Sequence, residues 1–185
     1  MITAFATIHQ RRRERGAPYV PTAVFLLGYL IAWIGFSILA TILQCVLQLT
    51  GPLTTMMQSA SHYWSAALFF AAGLYQFSPL KETCLAYCRS PDSFILSEWR
   101  DGNLGAVIMG LRHGLFCMGC CVGLMLLLFA VAVMDLRWVA ALTGMLTAEK
   151  LLPRPGFWRI AIGVGLLAAS CLTWFWVGGL AHRAS

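Results

Sequence analysis

Four side chains that bind soft metals fall between positions 113 and 121 of this sequence, in the order His113, Cys117, Cys120 and Cys121. A helix turns about 100° per residue, so these side chains project from one stripe, with the thiols one to two turns beyond the imidazole. Imidazole and thiolate ligands together suit zinc or copper(I). The spacing therefore predicts a site for copper(I) or zinc. The alternative is that the cysteines are small apolar residues buried in a helix interface.

A second thiol pair, Cys84 and Cys88, lies four residues apart on a predicted short helix and therefore on one face of it. On the cytoplasmic side of a membrane these cysteines are expected as reduced thiols, not as a disulfide. They predict a capture site for a soft ion, or half of a shared site. The alternative is an apolar pair that docks the short helix. Cys45 and Cys171 stand alone in the sequence and are interpreted as packing residues.

Three charged residues, Arg112, Glu149 and Lys150, are predicted inside the membrane or at its edge. Only the segment 138–148 separates Arg137 from Glu149, and that length of helix covers roughly 17 Å of a roughly 30 Å hydrocarbon core. Glu149 and Lys150 would then lie within the bilayer, where an ionisable group is a functional candidate. The alternative is that Lys150 reaches the inner surface and the bilayer thins locally. Arg112 is placed to offset part of the thiolate charge.

The composition predicts a membrane protein. Apolar residues make up 59% of the chain and charged residues 11%, with a mean hydropathy of +0.76, which is far from the balance of soluble domains. No charged residue occurs between Arg15 and Lys81, a length that accommodates two membrane spans. We predict an all-α, polytopic transmembrane helical bundle in contact with the lipid bilayer. It is a single membrane domain over 1–185, with spans at about 20–49, 60–78, 106–134, 137–152 and 158–180 and short interfacial helices in the 79–104 connection. Ser78-Pro79 and Ser90-Pro91 each place a serine cap before a proline, which predicts helices over 79–89 and 91–99. The second helix carries Phe94 and is expected to lie along the inner membrane surface.

The basic residues predict the orientation of the bundle. With these spans, eleven of the 13 Lys and Arg residues share one side. They are Arg11, Arg12, Arg13, Arg15, Lys81, Arg89, Arg100, Arg112, Lys150, Arg154 and Arg159. Positive charge concentrates on the cytoplasmic side of membrane proteins, so the N-terminus is expected there, in a bacterial inner membrane. The net charge of +6 thus reflects membrane topology and indicates no nucleic-acid partner.

Three segments, 79–91, 110–121 and 148–153, carry a resemblance to a known family. They read PLKETCLAYCRSP, GLRHGLFCMGCC and AEKLLP. Together they resemble an uncharacterised bacterial family of predicted metal-binding integral membrane proteins, over about residues 13 to 153. Members of that family begin with a further membrane helix ending in a methionine-rich segment. This sequence starts where that helix would end, so if methionines of the helix supply ligands in other members, weaker metal binding is expected here.

The function predicted from these residues is binding or transfer of a soft metal ion, copper(I) in the first place, by a membrane protein. A first alternative is a non-catalytic accessory or assembly subunit with a membrane-protein partner or a second copy, because Gly110 and Gly114 permit close helix approach. A second alternative is a membrane thiol-redox protein that uses Cys117 and Cys120. No phosphate loop or nucleophile elbow occurs in the sequence, so no enzyme is predicted.

Overall fold

A computed structural model describes residues 21–51, 62–90, 94, 97–129 and 136–183, with side chains as far as Phe175. Within these ranges the chain is helical and contains no strand, so the all-α prediction is confirmed for the described residues. The helices are α1 (Thr22–Leu49), α2 (His62–Gln76), α3 (Pro79–Arg89), α4 (Gly102–Leu126), α5 (Leu136–Leu151) and α6 (Pro155–Arg183), and a 3-10 turn (Leu127–Phe129) follows α4.

The short helix α3 has the bounds that its sequence predicts. Ser78 Oγ accepts a hydrogen bond of 3.2 Å from the Leu80 N–H, and Pro79 occupies the first helical position. A serine cap satisfies a backbone donor that no helical carbonyl can reach, and proline at this position loses no helical bond. The second predicted helix of this connection, 91–99, lies mostly outside the described residues. The Ser78 cap and Pro79 therefore set the start of the helix that carries Cys84 and Cys88.

Three of the described helices are long and apolar enough to cross a membrane. They are Thr22–Leu49, Gly102–Leu126 and Pro155–Phe175, with mean hydropathies of 2.2, 1.6 and 1.5. Helices α2 and α5 have 15 and 16 residues, which is short for a hydrocarbon core of about 30 Å. The count of five spans stays a prediction.

Packing divides the chain into two compact units. The first comprises Met1–Ala40 and Thr83–Cys120, and the second comprises Thr41–Glu82 and Cys121–Ser185. In the first unit, α1 crosses α4 at glycines of each helix that lie against the backbone of the other helix. A Cβ atom on Gly28 would meet the Val107 carbonyl oxygen, and one on Gly110 would meet the Phe25 carbonyl oxygen. The predicted small-residue contact is therefore present, and α1 is its partner.

The core of the first unit is aromatic. Phe25, Phe94, Ala106 and Met109 are buried together, and Phe94 has no exposed surface. The sequence predicts Phe94 on a helix lying along the inner membrane surface. In the structure its ring is buried with Phe25 of α1 and Met109 of α4. The position of its helix along the membrane surface stays a prediction.

In the second unit, α2 packs along α6, and α5 also contacts α6. A Cβ atom on Gly73 would meet the Leu167 side chain at 2.9 Å, so the two helices approach closely. The core of this unit is aliphatic and consists of Ala72, Leu124, Leu127, Leu142 and Leu166. A polar contact adds to it, since the Ser170 hydroxyl donates to the Ala66 carbonyl oxygen at 2.9 Å.

Candidate metal centre

Three thiols meet where α3 lies against α4. The sulfur atoms of Cys88 and Cys120 are 3.6 Å apart, and the Cys88 thiol also hydrogen-bonds the Cys117 thiol. Cys120 is 1% exposed, whereas Cys88 and Cys117 are half-buried. The fold thus brings the two predicted cysteine motifs together. Cys88 and Cys120, which are in contact, lie 32 positions apart in the sequence.

Cys84 lies beside the same cluster because α4 has a glycine at the point of contact. A Cβ atom on Gly119 would come within 2.6 Å of Cys84 Sγ, so any larger residue would displace the sulfur. Cys84 is 4% exposed and interacts electrostatically with Cys120. We call the four sulfurs of Cys84, Cys88, Cys117 and Cys120 the thiol cluster.

The thiols on α3 are held in the protonated form. Hydrogen bonds with the Cys117 and Cys120 thiols, followed by burial, raise the pKa of Cys88 far above its ordinary value. Burial, followed by the nearby Cys120, raises the pKa of Cys84. Both groups are therefore neutral thiols at physiological pH, and a bound metal would have to displace their protons.

Aromatic residues adjoin the cluster cysteines in sequence, and aromatic rings surround His113. The Tyr87 and Phe116 rings, each next in sequence to a cluster cysteine, stack with centroids 4.6 Å apart. His113 is 6% exposed, and its ring centroid lies 5.3 Å from that of Phe94 and 6.0 Å from that of Tyr29. The structure thus places His113 among rings one turn before Cys117. Its role as a ligand stays a prediction.

Tyr29 is a contributor that the sequence analysis missed. Its hydroxyl lies 3.8 Å from Cys117 Sγ, a contact between α1 and α4. It reaches the sulfur because Gly110 and Gly114 let the α1 backbone approach α4: a Cβ atom on Gly114 would lie 3.3 Å from the Tyr29 carbonyl oxygen. The tyrosine hydroxyl thus adds one polar contact from α1 to a cluster sulfur. Only the tertiary contact identifies this residue.

Cys121 has a different sulfur neighbour. Its Sγ lies 3.9 Å from Met125 Sδ, and its side chain is 2% exposed. The cysteines of α4, predicted to share one stripe, thus have different neighbours. Cys117 and Cys120 face the α3 thiols, whereas Cys121 contacts a methionine on its own helix. Arg112, the predicted balancing charge, forms an ion pair with Glu98.

The predicted intramembrane carboxylate, Glu149, has a partner that the sequence did not indicate. Lys81 Nζ lies 2.9 and 2.8 Å from its two carboxylate oxygens and also donates to the Gln76 side-chain oxygen. All three side chains are 1% exposed. The Nε2 group of Gln76 is buried without a hydrogen-bond partner. Lys150, the neighbouring predicted charge, is half-buried.

The sulfur spacing fits a shared metal ion. Two sulfurs bonded to one metal at about 2.3 Å lie about 3.8 Å apart at a tetrahedral angle and about 4.0 Å apart at a trigonal one. The Cys88–Cys120 separation of 3.6 Å is within a small rotamer adjustment of these values. No three His, Cys, Asp or Glu side chains within the described ranges are already arranged as a metal site. Side-chain rotation would therefore accompany binding.

Comparison with known proteins assigns a family. A family model, PpoB2, described as a copper chaperone, matches residues 1–173 of the 185. This agrees with the metal-binding character that the three sequence segments imply. A search of curated proteins and a search of solved structures gave no match. Because the model covers nearly all of the sequence, the chain belongs to the PpoB2 copper chaperone family.

Proposed function

We propose that this protein is a membrane-embedded copper(I) chaperone whose cargo binds to the thiol cluster. The observation that carries the proposal is the convergence of Cys88, Cys117 and Cys120 from two helices, together with the family assignment. Soft thiolate sulfur selects copper(I) or zinc over hard cations. Among these two, the family description favours copper.

The membrane location is supported by apolar side chains that the fold leaves uncovered. In the most apolar part of α1, only 17% of the residues are buried. Its exposed side chains include Leu30, Ile34, Ile38 and Leu39. A soluble monomer rarely exposes so large a contiguous apolar face, whereas lipid solvates it directly. The bacterial inner membrane and the cytoplasmic N-terminus remain part of the proposal.

Binding to the cluster exchanges protons for the ion. Cys84 and Cys88 are protonated before binding because their pKa values are raised. When copper(I) bonds to two of the sulfurs, their protons leave to solvent, and the cation offsets one of the two thiolate charges that the apolar surroundings oppose. The Tyr29 hydroxyl, 3.8 Å from Cys117 Sγ, offers a hydrogen bond to that sulfur when it is bonded to the ion.

The number of thiols suits transfer more than permanent storage. Copper(I) is satisfied by few ligands, and the cluster offers four sulfurs. An incoming thiol of an acceptor can therefore replace one sulfur while another still holds the ion, so the ion is never without ligands. Cys88 and Cys117, the half-buried members of the cluster, are the sulfurs an acceptor can reach first.

Copper retention tests this proposal. The purified protein, reduced and held anaerobically in mild detergent, is loaded with copper(I) and then dialysed against a copper(I) chelator. We expect the Cys88→Ser/Cys120→Ser variant to retain less copper per chain than the wild type. The matched control is Cys45→Ser/Cys171→Ser, which removes two exposed thiols and should retain copper. Equal retention in the two double variants would eliminate the cluster as the site.

The thiol-redox alternative receives less support from the same geometry. Thiols that attack disulfides must be accessible to their substrate, whereas fully buried thiols are unreactive. Of the two cysteines in this alternative, Cys117 and Cys120, the second is only 1% exposed. A maleimide reaction at neutral pH in mild detergent distinguishes the two functions. A redox protein reacts within the assay time at both Cys117 and Cys120, whereas in the proposed chaperone Cys120 reacts slowly until SDS unfolds the protein.

A further inference from the structure

A second pair of soft ligands continues along α4 past the thiol cluster. Cys121 Sγ and Met125 Sδ lie 3.9 Å apart, and both residues belong to the second compact unit. We propose that Cys121 and Met125 form a distinct copper(I) site built from one thiolate and one thioether. This inference rests on the proposed copper function and adds a second position for the same cargo.

The ligand types select the ion. A thioether is a soft, uncharged ligand that binds copper(I) and is a poor ligand for zinc or magnesium. A singly charged copper ion, one thiolate and one thioether sum to zero net charge. Removing charge from water is costly, so a neutral complex is the form that an apolar environment tolerates best. A site of two thiolates would keep a negative charge there.

The surroundings of the pair are apolar. Cys121 is 2% exposed and Met125 is half-buried. Neighbouring positions on α4 and the turn after it, Leu124 and Leu127, belong to the aliphatic core of the second unit. A neutral complex fits this setting, and water, which would compete for the ion, is excluded from the Cys121 side.

The sulfur separation requires only side-chain motion for binding. Two sulfurs that share a metal ion with bonds of about 2.3 Å lie about 4.0 Å apart at a trigonal angle and about 4.6 Å apart when the arrangement is linear. The observed 3.9 Å is close to the first value. Methionine has three rotatable bonds and adapts readily, so the second value is also within reach of Met125 Sδ.

The position of the pair suits onward transfer. Cys121 follows Cys120 directly, and Met125 lies eight residues beyond Cys117, which is about 12 Å of helix. Soft ligands thus continue along α4 instead of ending at the thiol cluster. A second site along the same helix gives the ion a next position beyond the thiol cluster.

Copper stoichiometry and selenium labelling test the second site. The full-length protein in detergent is loaded anaerobically with excess copper(I), freed of loose ions and analysed for copper per chain. We expect two ions in the wild type and one in Met125→Leu, a volume-conserving change. Met145→Leu is the matched control, because Met145 packs against the same aliphatic core; it should keep two. With selenomethionine, X-ray absorption should show copper–selenium scattering that Met125→Leu alone removes.

The outcomes separate this inference from the proposed function. One retained ion that is unchanged by Met125→Leu, with no copper–selenium scattering, overturns the second site and leaves the thiol cluster in place. A wild-type protein that retains no copper overturns both. Retention of one ion in Cys88→Ser/Cys120→Ser, lost when Met125→Leu is added, supports the second site directly.

Discussion

The buried Lys81–Glu149 pair provides the sharpest test of the packing. At the observed separation of 2.8 Å, the attraction is about 6 kcal/mol at an effective dielectric constant of 20. Desolvation of two ions costs several kcal/mol each, so the intact pair contributes little net free energy. Removing one partner is different, because a charge that is 1% exposed then remains without its counter-ion.

We therefore expect strong non-additivity in a double-mutant cycle. Glu149→Leu and Lys81→Met should each lower the free energy of unfolding by about 3–5 kcal/mol, and the double variant should lie within about 1–2 kcal/mol of the wild type. SDS titration of the detergent-solubilised protein, followed by tryptophan fluorescence, measures these differences. Expression of the double variant at wild-type level, with poor expression of both single variants, would be the corresponding result in cells.

Glu82, which follows Lys81 on α3, supplies a control for charge removal. Glu82 pairs with Arg159 at 3.1 Å but is 68% exposed, and exposed pairs are screened by water and contribute about 0–1 kcal/mol. Glu82→Gln should thus be nearly neutral in the same titration. The burial argument is refuted if Glu149→Leu is as mild as Glu82→Gln, or if the double variant shows the summed loss of its two single variants.

Three further predictions concern the thiol cluster. Because the pKa values of Cys84 and Cys88 are raised, copper affinity in chelator competition should rise from pH 6 to 8, about tenfold per pH unit for each displaced proton; a flat profile contradicts this. Tyr29→Phe should weaken copper binding about two- to tenfold in that assay, with unchanged unfolding. Gly119→Ala should cost about 1–3 kcal/mol in SDS titration, whereas Gly144→Ala, which meets nothing within 4 Å, should not destabilise.

Helix positions were largely predictable from local sequence. The cap at Ser78 and the proline after it fixed the start of α3, and the long uncharged runs located α1, α4 and α6. These signals lie within one helix and need no knowledge of neighbours. The same holds for Cys117 and Cys120, since residues three apart share a face of any helix.

The tertiary partners were not predictable in this way. Nothing near Lys81 in the sequence identifies Glu149, 68 positions later, as its counter-ion, and Lys81 has the appearance of an interfacial charge. Phe94 occupies an aromatic pocket that exists only once α1 and α4 are assembled. Tyr29 reaches Cys117 only because glycines bring two backbones together. Such contacts depend on the assembled fold, which a single sequence does not specify by pattern.

The protonated state of the α3 thiols determines which ions do not bind to the metal-free protein. Magnesium and other hard cations are abundant in cells but bond weakly to sulfur, so they cannot expel a proton from Cys84 or Cys88, whose pKa values are raised. Only an ion with high affinity for thiolate competes successfully with hydrogen. The competition between metal ions and protons for sulfur therefore excludes the commonest cellular cations, independently of the geometry of the site.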